Sequence, residues 1–203
     1  MSLTLSGNGI TSANIVDSAV TSSKIADGTI VNNDINASAN IPASKLSGTG
    51  KVLQVVQGVK TDTFTSSSNV WTDITGLSAT ITPTSTTSKI LVIIHMTIGG
   101  NSTSYDAATS LLRGSTHIGL PTGYGSREAT IMPLNQRGQS MYEASTVSNA
   151  YLDSPNTTAT TTYKMQMRAY SNTTQYVNRT ASDSNGGGDS RHISSITLME
   201  IGA

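Results

Sequence analysis

Three histidines, His95, His117 and His192, are the residues of this sequence most suited to proton transfer or metal ligation. Their spacing matches neither H-E-x-x-H nor H-x-H, and none has a carboxylate at ligand spacing. His95 lies inside the apolar run ILVIIHMTI, which predicts a hydrogen-bonded histidine of a core or subunit interface. Asp183 and Asp189 flank a triple glycine in ASDSNGGGDSR, an oxygen-rich setting that suits hard cations. The spacing departs from the EF-hand loop, so a mobile surface loop is the simpler reading and no metal or other cofactor is expected. Glycoside hydrolysis needs two carboxylates held across a cleft. The three glutamates, Glu128, Glu143 and Glu200, suggest no such pair, and no nucleophile elbow, P-loop or dinucleotide fingerprint occurs, so no enzymatic activity is expected.

Binding chemistry is the alternative to catalysis. The stretch GYGSRE, Gly123 to Glu128, reads as an exposed loop. Its Tyr124 and Arg127 are the candidate receptor-binding residues, one able to stack and the other to donate hydrogen bonds to a sugar or protein ligand. The bland alternative is an ordinary turn. Trp71, the single tryptophan, sits in VWTDI and is expected in the core rather than on a sugar platform.

These residues must be carried on strands. KVLQVVQGV from Lys51 begins a strand-like run, and VWTDITGLSATI (Val70 to Ile81) reads as a strand or a hairpin turning at Gly76. KILVIIHMTI, Lys89 to Ile98, is apolar at both parities, as in a central buried strand. In TTYKMQMRAY, Tyr163, Met165, Met167 and Ala169 alternate with Lys164, Gln166, Arg168 and Tyr170, so one face is core. Shorter strands are expected in DAATSLLRGSTHIGL, REATIMPLNQ and QSMYEASTVSNAYL, and a last one in HISSITLMEI. Eight to ten strands in residues 51–203 predict an all-β, jelly-roll-like antiparallel β-sandwich head.

Residues 1–50 differ. Large aliphatics fall at Ile10, Ile15, Val20, Ile25, Ile30, Ile35, Ile41 and Leu46, a step of five broken once by six. Helices want apolar residues three or four apart, and half-buried strands two apart. The segment can be cut into the units ITSANIVDSA, VTSSKIADGT, IVNNDINASAN and IPASKLSGTG. Small or turn-prone residues (Ala13, Ser18, Ser23, Gly28, Asn33, Ala39, Ser44) stand two places before each aliphatic after the first. Eight aliphatic side chains return far less free energy than ordering such a length of backbone costs. A shared core explains the pattern, each aliphatic lying in one layer of an intertwined three-chain shaft. A single-chain coil and a flexible tether are the alternatives.

Composition agrees with this division of the chain. Ser and Thr supply 61 of 203 residues, which suits a Thr-rich β protein and discourages long helices. Lys plus Arg equals Asp plus Glu at 12 each, with no basic cluster, so nucleic acid is not an expected partner. Cysteine is absent, which excludes disulfides and zinc–thiolate sites. No apolar run reaches membrane-spanning length and no signal peptide is expected, so membrane insertion is not expected either.

The stretches ITPTSTTSKILVIIHMTIGG, LLRGSTHIG, YLDSPNTTATTTYKMQMRAY and SSITLMEIGA occur in that order over residues 81–203. Together they resemble a domain found at the ends of bacteriophage tail-fibre and related virion-appendage proteins, notably of phages of cyanobacteria and other aquatic bacteria. The N-terminal repeat is similar to one that precedes knob domains in phage fibres. The resemblance implies a homotrimer located on the virion, joined to other virion proteins through residues 1–50. Its head would bind a host-surface glycan or outer-membrane protein. A purely structural virion protein, such as a capsid decoration, head fibre or connector, is the alternative role, and a polysaccharide depolymerase a third.

Overall fold

The computed structural model describes residues 18–36, 38–39, 51–100, 107–134, 140–170 and 173–202. The chain divides into two compact units, residues 1–47 and 48–203. In the first, two single turns of 3₁₀ helix, Ser22–Lys24 and Asn32–Asp34, recur at the ten-residue spacing of the repeat. Backbone bonds from Lys24 N to Thr21 O and from Asp34 N to Val31 O close equivalent turns. Around and between them Val20, Ile25, Ile30 and Ile35 stand 38–56% exposed. One copy of the repeat therefore leaves its own aliphatics uncovered. Ile10, Ile15, Ile41 and Leu46 lie outside the described residues.

The second unit is all-β, with no α-helix among the described residues. Its strands are β1 (Val52–Lys60), β2 (Phe64–Ser66), β3 (Thr72–Ile81), β4 (Lys89–Gly100), β5 (Ala107–Arg113), β6 (Thr116–Ile118), β7 (Met132–Leu134), β8 (Ala144–Asp153), β9 (Thr161–Ala169), β10 (Gln175–Val177) and β11 (Ser194–Ile201). They form two antiparallel sheets. In the larger, β4 is central: β8 runs along one side, and β11 and β10 share the other, with β1 outside β11 and β2 outside β10. The smaller runs β3-β9-β5-β6, with β7 also on β5.

Alternation decides what lies between the sheets. Tyr163, Met165, Met167 and Ala169 of β9 are all fully buried, as their spacing predicts. The first three meet Ile90, Val92, Ile94, Met96 and Ile98 of β4 and Ile196 and Leu198 of β11 in one core. The opposite parity of β4 departs from the expected burial on both faces: Ile93 and His95 are exposed and Leu91 is half-buried, because no described residue covers that part of the sheet, whereas Thr97 and Gly99 further along are buried, Gly99 against the backbone of Arg179 and Thr180. Gly76 does not turn a hairpin. It sits inside β3, in a bulge where the register with β9 shifts between Asp73 and Ser78, so Ile74 and Leu77 can both point inward. The 182–191 stretch is also more organised than a free loop, since the Asp189 carboxylate accepts bonds from Ser184 N, Ser184 Oγ and Gly186 N.

Two carboxylates join elements that the apolar core alone would not register. Asp153, at the end of β8, accepts two bonds from Arg113 Nη1 of β5 (2.9 and 2.8 Å) and one from the Tyr163 hydroxyl of β9 at 2.7 Å. Burial, and then the bond to Asp153, raise the Tyr163 pKa far above its usual value, so it stays a donor. Across β4 from it, since both carboxylates are in register with Ile90, Glu200 of β11 takes bonds from Gln54 of β1 and from the backbone and hydroxyl of Thr84. Burial opposes its ionisation, but the bonds from Gln54 and Thr84 outweigh that and hold its pKa at about 2.

Asp153→Asn is expected to cost about 2–3 kcal/mol in chemical denaturation, since it strips a mostly buried ion pair of its charge. Glu200 predicts an acid transition. Its folded pKa lies below the usual 4.5, so its stabilisation is complete above that pH and is lost as pH falls towards about 2. Thermal melts from pH 6 to 2 should show this fall, and Glu200→Gln should flatten it; equal slopes in both proteins would contradict the assignment.

Candidate functional site

The outer face of the smaller sheet carries the residues best placed for binding. In register, Asp73 of β3 faces Gln166 of β9, and Gln166 faces Ser110 of β5. Leu112 of β5 stands between Lys164 of β9 and His117 of β6. This face is not bare, because Ala108, Ser110 and Leu112 are nearly or fully buried despite pointing away from the core. Neighbouring side chains and residues 119–131 cover it.

Both ends of this loop are fixed. Gly119 has φ +67°, and a Cβ there would stand 3.0 Å from Ile131 Cδ1 and 3.2 Å from the Tyr151 ring, so a bare backbone is needed. At the far end Thr130 Oγ1 donates to a backbone carbonyl at 2.7 Å, Ile131 N donates to Thr109 O, and Asn149 Nδ2 donates to Ile131 O at 2.7 Å. Between the anchors Tyr124 is flanked by Gly123 and Gly125, both at positive φ, and Arg127 N donates to Tyr124 O in a tight turn. Tyr124 is 45% exposed as a result.

The loop and the sheet enclose a cleft of about 220 Å³ lined by Trp71, His117, Leu120, Tyr124, Arg127, Glu128 and Ala129. The two sequence-predicted residues, Tyr124 and Arg127, thus come together on one wall. Trp71 corrects its expectation: it is partly exposed at the cleft and not in the core. Its ring meets that of His117 at 5.6 Å between centroids, tilted by 53°. The His117 ring is held by a 2.6 Å bond between Nδ1 and Ser110 Oγ. Arg168 lies over Trp71 at 5.9 Å and over Tyr170 at 5.2 Å, and its guanidinium reaches Glu128 at 3.4 Å, tying loop to sheet. Nearby, bonds from Lys164 and then Gln166 hold Asp73 below the usual carboxylate pKa.

No family model matches the chain, and no curated protein matches its sequence.

The cleft offers flat aromatic faces, a guanidinium and a carboxylate, a set that suits stacking and hydrogen bonding with a polar ring. Glu128 is the one carboxylate among its lining residues, which leaves bond cleavage by a carboxylate pair without a second member there. The remaining sequence candidates lie elsewhere. His95 bonds Ser148 Oγ at 3.2 Å on the outer face of the larger sheet, and His192 bonds Ser190 Oγ at 2.8 Å. Asp183 is taken by Arg179 and Arg191, each at 2.7 Å, and the bonds from Ser184 and Ser182, with those of the backbone, keep Asp189 near pKa 2. Two arginines at Asp183 oppose a divalent cation in that loop.

Sequence reading missed Trp71, His117 and Glu128. A signal for Trp71 existed: it shares parity with the polar Asp73, whereas Ile74 is the inward residue. Gly119→Ala should cost about 1–2 kcal/mol, through left-handed strain and displacement of Ile131. Because Trp71 is the only tryptophan, its emission should shift in the folded variant as the loop moves; an unchanged spectrum would show that the loop does not depend on this anchor.

Proposed function

We propose that this protein is a bacteriophage virion fibre component whose head binds a glycan of the host-cell surface through the Trp71–Tyr124–Arg127 cleft. The reading joins three features of one chain. The period-five repeat has aliphatic side chains that a single copy leaves uncovered, which supports an intertwined homotrimeric shaft that also attaches to other virion proteins. The head buries its own core and carries the aromatic cleft. The likeness of the head segments and repeat to phage appendages supplies the setting. The jelly-roll reading of the head belongs to the same proposal, supported by a chain that crosses between two antiparallel sheets after β2, β3, β4, β7, β8 and β9.

The observation that carries receptor binding is the meeting of Trp71, from the start of β3, with Tyr124 and Arg127, from a loop 50 residues away, around one solvent-open cleft. A pyranose stacks its apolar face on such rings, while Arg127 and Glu128 bond its hydroxyls. Each contact is weak, and three heads on one shaft raise the avidity.

Purified protein should adsorb to host cells and compete with phage. Trp71→Ala and Tyr124→Ala should each weaken adsorption by about tenfold or more, the loss of roughly 1–2 kcal/mol per stacking contact multiplied over three heads. The trimer should scatter light as three times 21.1 kDa. Absence of adsorption by an intact trimer would favour the structural role of decoration or connector.

A further inference from the structure

We infer that the outer face of the larger sheet is the surface on which the heads of separate copies of this chain pack together. The inference rests on the trimer reading above and gives it a location in the head. Across four strands the register sets Val55 of β1 beside Met199 of β11, Met199 beside Leu91 of β4, and Leu91 beside Leu152 of β8. This is an unbroken apolar row that no described residue covers. Val55 is 57% exposed and Leu152 53%. The next row adds Ile93 and Ala150, and its polar members satisfy each other, since Gln57 Nε2 donates to Thr197 Oγ1 at 2.8 Å. Charge stands at the two ends of the face, where Lys89 bonds Ser154 and where Arg191 lines a hollow with His95 and Thr146. A patch of this size is ordinary by itself; what singles it out is that it lies on the sheet into which the exposed aliphatic repeat leads in sequence.

Its size and chemistry select the occupant. Four strands at about 4.8 Å spacing and the four residue steps of about 3.3 Å that two rows occupy give a footprint of roughly 250 Å². A free partner needs about 800 Å² on each side for a stable specific complex, so this face is too small to hold an unrelated protein alone. A copy already tethered needs less, because tethering raises its effective concentration to the millimolar range. The repeat is such a tether: it runs in sequence directly into β1, the edge strand of this sheet, and its own aliphatics need other copies for cover. The two apolar rows carry no charge of their own, so they meet their like without electrostatic penalty.

The absence of cysteine makes the test direct. Leu152→Cys places a single thiol on the row, and Ser115→Cys places one at the exposed tip of the β5–β6 hairpin in the other sheet. Maleimide labelling of the full-length chain should be slower at residue 152 than at residue 115 by about tenfold or more, the factor for a site covered at least nine-tenths of the time. Labelling rates in denaturant supply the reference, and Val55→Cys repeats the measurement should Leu152→Cys misfold. An oligomer by light scattering with both thiols equally reactive would overturn the interface and leave shaft assembly standing. A monomer would overturn both.

Discussion

The head depends on one shared carboxylate. An apolar core between two sheets is non-directional and tolerates sliding, whereas Asp153 accepts from Arg113 and Tyr163 at fixed distances and so pins β8 of one sheet to β5 and β9 of the other. Arg113 stands opposite Thr116 in the hairpin that also carries His117. Fixing the hairpin's end therefore fixes the His117 ring against Trp71, and with it the floor of the cleft. The node and the cleft lie on opposite sides of the same hairpin, one holding it and the other using it.

Strands whose burial follows from alternation were legible in the sequence. Four inward residues of β9 can be read from TTYKMQMRAY because the period of two belongs to the strand itself and needs no partner to be seen. KILVIIHMTI was legible as a central strand but not in its exposure, since an apolar outer face looks the same in sequence whether it is covered by the same chain, by another chain or by water. The cleft was half legible. Tyr124 and Arg127 announce themselves by the glycines and polarity around them, whereas Trp71 and His117 are brought side by side only because β9 pairs with both β3 and β5, which are non-local facts. The bulge at Gly76 escaped for a related reason: a glycine in a strand-like run signals either a turn or a bulge, and the partner strand decides.

The Ser/Thr-rich composition has a structural counterpart. Hydroxyls bridge strands where other proteins use ion pairs, as in Thr80 with Thr162 at 2.8 Å and Thr82 with Thr160 at 2.9 Å. Hydroxyls also finish loops, as Thr130 does beside β5 and Thr180 does beside Ser182. Such bonds are short, local and uncharged, so ionic strength has little purchase on them. A low charge content is thus compatible with a well-connected head.

The pairing of β1 with β11 has a consequence for how the head is made. Val55 lies beside Met199, 144 residues further along, so the strand that opens the head has no neighbour on that side until nearly all the rest of the head has been synthesised. During translation the repeat and β1 leave the ribosome before the rest of the head and wait with aliphatic side chains and an unpaired edge exposed. Contacts of such separation are slow to close, since the entropy of the intervening chain must be overcome before they form. Chains synthesised side by side on one message would meet first through the segments that emerge first, and each head would close only after its neighbours were already at hand.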